Sequence, residues 1–278
     1  MRAIDMRRFG SWLSSMRQFF FTILCLGFSI ARTDGSTRVD LGKFAGETNI
    51  LTEKIEVRHD GVFKSRKHYR GIDIRRLFEH QGITIPEKPA QTSVVFHCSD
   101  GYTAITTLDL LLRDKAFLAV ADLDAPKGQH WFPLPSGGGR EPGPFYLVWP
   151  NTEPDDIKHP WPYNLTAIEI AGTEKILGPA TPAPNAGLDK GFDLFRIHCM
   201  SCHSVNGVGG TVGVELNIPR SVFEYWKPEM LPEFIADPRS FRRNGKMPGF
   251  AHLNQAEIRR ILDYLRHMKD RKKHAAAP

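Results

Sequence analysis

The sequence predicts a multidomain chain, an α+β domain followed by an all-α domain, and three observations carry that expectation. Gly178-Pro179-Ala180-Thr181-Pro182-Ala183-Pro184-Asn185-Ala186-Gly187 interrupts the apolar pattern with a Pro/Ala-rich stretch of the kind that forms a semi-extended spacer. Before it, strand-like and helix-like segments succeed one another without a regular βαβ alternation, which points to an α+β arrangement. After it, two amphipathic helical stripes bracket a turn that carries two cysteines. The expected boundaries are a signal segment at 1–31, a first domain at 38–175, a linker at 176–187 and a second domain at 188–270.

In chain order, Arg2, Arg7, Arg8 and Arg17 precede a mostly apolar run at 19–31 that closes in Ser29-Ile30-Ala31. This reads as a secretory signal peptide cut after Ala31. The run is too short for a good transmembrane helix, and only if it stays uncut does it serve as a membrane anchor. Val94-Val95-Phe96, Phe145-Tyr146-Leu147-Val148-Trp149 and Leu165 to Ile170 have the β-branched and aromatic composition of strands. Ile72 to Phe78 predicts a short helix with Ile74, Leu77 and Phe78 on one side, and Leu108 to Leu112 starts another. Ser136-Gly137-Gly138-Gly139-Arg140 is Gly-rich, but it lacks the Lys-Ser/Thr pair and following helix of a phosphate-binding loop. Asp100-Gly101 is a turn signal on its own account.

The chemistry concentrates in Cys199-Met200-Ser201-Cys202-His203. Two thiols two residues apart and an adjoining imidazole form the attachment pattern of a c-type haem, in which each thiol adds to a vinyl group and the ring reaches iron. A zinc site would need further thiol or imidazole ligands at a second matching spacing, and none is present. A dithiol redox pair belongs at a helix start after a strand, whereas Leu188, Phe192 and Phe195 form a helical stripe that ends just before Cys199. A six-coordinate haem takes a second axial ligand from a remote segment. Met247 is the favoured one, in a loop punctuated by Gly245, Pro248 and Gly249; Met230, Met268, His252 and His198 are the other candidates. Asn254 and Glu257 read as a capping box for a final helix with Ile258, Ile261, Leu262, Leu265 and Met268 on one face, and Tyr264 is expected to meet Gly191 where the two helices cross.

On these residues the region from about 187 to 270 resembles a class I cytochrome c: first helix, Cys-x-x-Cys-His, the Asn206-Gly207-x-Gly209-Gly210 turn, Pro219, Met247-Pro248 and a closing amphipathic helix, in that order. The resemblance implies one haem c held through Cys199 and Cys202, with His203 and Met247 as axial ligands. It also implies that the backbone carbonyl at Pro219 accepts the proton of the other His203 ring nitrogen, fixing its tautomer. Attachment of haem in such bacterial proteins implies a periplasmic location.

The first domain carries a second resemblance. Tyr69-Arg70-Gly71-Ile72, Asp100-Gly101-Tyr102, Gly143-Pro144-Phe145-Tyr146-Leu147-Val148-Trp149-Pro150 and a last strand near Ile168 are similar, in order, to small members of the sulfite oxidase-type molybdopterin-binding superfamily. That resemblance implies Cys98 as a molybdenum ligand if the cofactor is retained. Two functions follow as expectations. One is an exported single-electron carrier whose first domain docks a redox partner or small ligand. The other is a molybdenum oxidoreductase that relays electrons from a site near Cys98 to the haem.

Charge adds little. Of the formal net charge of +6, the leader's four arginines against Asp5 carry +3, so the remaining chain keeps only +3. Lys269, Arg271, Lys272, Lys273 and His274 read as a solvated basic end that steers an acidic redox partner, not as a nucleic-acid surface.

Overall fold

The structure is a computed structural model, and it describes residues 31–33, 35–44, 52–135 and 138–273. The expected signal at 1–31, apart from Ala31, and the first residues of the Gly-rich loop, Ser136 and Gly137, lie outside the described residues. The first domain is built on two antiparallel sheets. One has the order β1-β2-β9-β5-β6, from β1 (Ala31–Thr33), β2 (Ser36–Asp40), β5 (Thr92–Cys98), β6 (Thr103–Thr107) and β9 (Leu165–Gly172). The other has the order β3-β4-β7-β8, from β3 (Glu53–Val57), β4 (Lys67–Asp73), β7 (Phe117–Asp122) and β8 (Tyr146–Val148).

Helices α1 (Ile74–His80) and α2 (Leu108–Arg113) cover the space between the sheets. Their Ile74, Leu77, Phe78, Leu108 and Leu111 join Val94 and Phe96 of β5 and Ile168 and Ile170 of β9 in one core. The second sheet buries its other face as well: Leu147 of β8 enters this core, while Tyr146 and Val148 join Tyr69, Ile55 and Trp131 on the far side. Period-two alternation therefore reads correctly here even though both faces are apolar.

Ile72 belongs to β4, opposite Leu118, and not to the helix expected from Ile72 onward. The helix begins after Asp73, whose side chain accepts from the amides of Arg75 (2.7 Å) and Arg76 (3.4 Å).

The second domain is helical. It contains α4 (Asp189–His198), the small ladder of β10 (Ser204–Val205) and β11 (Val208–Gly209), α5 (Leu231–Ala236), α6 (Pro238–Phe241) and α7 (Gln255–Lys269). Helices α4 and α7 cross where Gly191 lets the backbones approach, because a Cβ there would overlap the Arg260 carbonyl and press on Tyr264. Tyr264 also packs against Phe192 and Phe195, each ring centroid 5.3 Å away and tilted by 42°. Thus the expected meeting of Tyr264 and Gly191 is present.

The spacer differs from expectation. Its start lies in the short helix α3 (Thr173–Leu177), and Leu177 and Ala180 are buried in the core of the helical domain. The Ala180 carbonyl accepts from the Tyr264 hydroxyl at 2.6 Å, and the Pro179 carbonyl accepts from Asn206 at 2.8 Å. The first half of the segment is a packed run of turns, since these donors satisfy carbonyls that a free spacer would leave to water, while residues 184–187 are exposed. Among the described residues, no helix is long and apolar enough to cross a membrane.

Candidate haem-attachment site

Helix α4 ends at His198, and the chain curls back so that the amides of Cys202 and His203 both donate to the Cys199 carbonyl, at 3.1 and 2.9 Å. Three glycines make the curl possible. A Cβ at Gly209 would overlap the His203 carbonyl, one at Gly210 the Ser201 carbonyl, and one at Gly213 the His203 ring itself. Gly209 also sits at φ +122°, a region open to glycine.

The His203 ring is oriented by the backbone. Its Nδ1 lies 2.8 Å from the Val214 carbonyl oxygen. A carbonyl only accepts, so the proton sits on Nδ1 and leaves Nε2 with a free lone pair. This corrects the expectation for Pro219, whose carbonyl instead accepts from Lys272 Nζ at 3.1 Å. A backbone acceptor needs no particular side chain, and the chain path, not the proline, decides which residue supplies it. Lys272 also pairs with Glu224 at 2.6 Å, so this part of the basic end is a packed contact as well as a charged one.

Burial pushes the Cys199 thiol up to about 12, with the neighbouring Cys202 adding to it. Burial also raises Cys202, and the charge of Asp100 adds to the shift. Cys199 and Met247 border the same apolar core, reached from α4 and from the loop between α6 and α7. Of the competing ligands, Met268 is buried in that core, and His198 and His252 pack on each other with centroids 5.4 Å apart.

Residues 186–265 match the family model described as cytochrome C oxidase, cbb3-type, subunit III. The match supports a C-terminal domain similar to cytochrome c. No curated protein matches the chain. A cytochrome c domain holds haem c covalently and passes electrons through it to partner proteins, and the residues present fit that group. Val212, Val214, Tyr225 and Met230 leave apolar surface exposed, Val214 by 62%, in the segments that follow the two thiols. Such surface suits an apolar macrocycle, and the Gly213 gap seats the ring that would face its iron.

Cys98 gives a different result. It closes β5 at 9% exposure within the first core, and burial followed by Asp100 pushes its thiol up to about 12. A molybdenum ligand must be a thiolate opening on a cavity large enough for a pterin, whereas Cys98 is buried in the apolar core with its thiol held protonated, and it lines neither the cleft beside β6 nor the one beside Lys67. The residues around Cys98 do not fit the molybdenum cofactor. Of the isolated candidates nearby, His97 is 3.2 Å from Glu169 across the sheet, while Trp131 and Trp149 are core residues.

Two arrangements escaped sequence reading. Asp60, fully buried, accepts from the hydroxyls of Tyr69 (2.9 Å) and Tyr146 (3.0 Å) and from the amides of Val62 and Phe63. Lys67 is buried against Asp122 at 2.7 Å, with its ammonium over the Phe63 and Phe132 rings. The β-hairpin turn at Asp100-Gly101 also does more than reverse the chain: the Gly101 carbonyl accepts from Thr211 (2.8 Å), and the Thr103 amide donates to the Ser201 carbonyl (2.9 Å). Tyr102 and Ser201 line the same cleft beside these bonds. The two domains therefore meet at Ser201, between Cys199 and Cys202, and at Thr211.

Proposed function

We propose that the chain is an exported, periplasmic single-electron carrier whose first domain docks a redox partner beside the haem. Cys199 and Cys202 would hold haem c by thioethers, with His203 Nε2 on one face of the iron and the Met247 thioether on the other. The group supplies one-electron reduction and oxidation of its iron. The Val214 carbonyl holds the His203 proton on Nδ1, which keeps Nε2 available and the ring fixed. That bond, next to two thiols in a cytochrome c domain, is the observation that carries the reading.

The first domain is a docking module of sulfite oxidase-like fold that works without molybdopterin. The burial of Cys98 supports this, as does the contact of the Asp100–Thr103 hairpin with Ser201. Export rests on the segment at 1–31, with an anchor at 19–31 if it is uncut. Met247→Ala tests the ligand assignment: the thioether-to-iron charge-transfer band is lost and the reduction potential falls, whereas Met230→Ala leaves both in place. Metal analysis of the exported chain should find iron without molybdenum, and one molybdenum per chain would restore the oxidoreductase reading.

A further inference from the structure

A cleft of 530 Å³ runs between the domains, and the whole of β6 forms one of its walls. Strand β6 is the edge of its sheet, paired on one side with β5 only. The antiparallel register sets Thr103 opposite His97, Ile105 opposite Val95 and Thr107 opposite Ser93. Hydrogen bonding alternates along such a strand. The Thr103 amide turns away from β5 to reach Ser201, so the amides of Ile105 and Thr107 face the same outward side. Neither has a backbone partner there among the described residues.

The geometry points to this edge as a docking site for an extended polypeptide segment of a partner protein, added as a strand beside β6. An exposed edge is a template for such pairing, with backbone hydrogen bonds giving affinity and alternate side chains giving selectivity. The first rung already exists, because the Ser201 carbonyl occupies the Thr103 amide; an incoming strand continues a ladder that the haem-attachment loop begins.

Two exposed apolar side chains flank the path, Ile157 at 55% from the first domain and Ile197 at 43% from α4. Most charges that line it are already paired, Asp155 with Lys64 (2.6 Å), Asp156 with His159 (2.9 Å) and Asp193 with Arg196 (3.3 Å), whereas the Lys158 ammonium has no side-chain partner among the described residues. The fitting segment accordingly has apolar or β-branched residues toward both walls and carries no charge except for at most a carboxylate opposite Lys158. This rests on the docking role proposed above and names where and how it is met.

The test is amide hydrogen exchange on the full chain with a short capped peptide of alternating threonine and valine. The control is the same peptide N-methylated on the amides of one edge. In the free protein Thr103 exchanges more slowly than Ile105. Saturating plain peptide slows Ile105 and Thr107 by about tenfold, the methylated peptide does not, and Ile157→Lys or Ile197→Lys weakens the protection while leaving the melting temperature in place. Equal protection by both peptides, or none by either, overturns the inference. Haem content is read separately from the visible spectrum: a chain that takes the peptide without pigment counts against the carrier reading and not against the strand site.

Discussion

At Gly213 a single hydrogen atom separates a seated His203 ring from a displaced one. Gly213→Ala places a methyl group where the ring lies, and the expected outcome is a sharp fall in covalently bound haem, measured by a haemochrome spectrum on denatured protein. Val214→Ala keeps the carbonyl that orients His203 and is expected to load normally. The same scale holds a pH prediction. The hydrogen bond from His97 lowers the Glu169 carboxyl below its usual 4.5 against opposing burial, with Arg38 and Lys175 assisting. A depressed carboxylate adds stability that is fully present above its usual pKa and is lost as pH falls through the lowered one. Glu169→Gln should therefore flatten the decline of the melting temperature between about pH 5 and pH 3 and change little near neutrality.

What the sequence disclosed at this level was side-chain chemistry. Two thiols and a ring at fixed spacing are visible as letters. The Val214 carbonyl is not, because every residue has one and only the chain path selects it.

Helix α7 shows how far an element can be read in advance. Asn254 accepts from the Glu257 amide at 3.0 Å and Glu257 accepts from the Asn254 amide at 2.9 Å, the reciprocal pair its spacing predicts. Asn254→Ala should cost about 1 kcal/mol in chemical denaturation and Asn254→Gly only a few tenths. Strand β4 shows the limit: Ile72 fits a helical stripe with Phe78 as well as it fits a strand, and the cap at Asp73 decides where one state ends and the other starts. The edge of β6 was invisible for a related reason, since which strand stands at the border of a sheet depends on pairing across the chain.

Across the whole molecule, the packed segment at 178–183 joins the domains firmly where composition suggested a loose tether. Pro and Ala report a backbone that is extended, and they say nothing of whether another surface lies against it. Here Tyr264 and Asn206 hold its carbonyls, and the hairpin at Gly101 meets the loop at Ser201 from the other side. Limited proteolysis of the native protein should therefore spare this stretch; Tyr264→Phe removes one donor, is expected to cost about 1 kcal/mol, and opens the stretch to cleavage.

The hairpin that covers Ser201 is translated well before the loop it covers. Once it closes, Tyr102 lies by Ser201, in the turn between Cys199 and Cys202. On the proposed haem assignment, ligation at the two thiols has to precede this closure, so that biogenesis runs as a race between the two. Weakening the Tyr102 contact should favour the ligation machinery in that race.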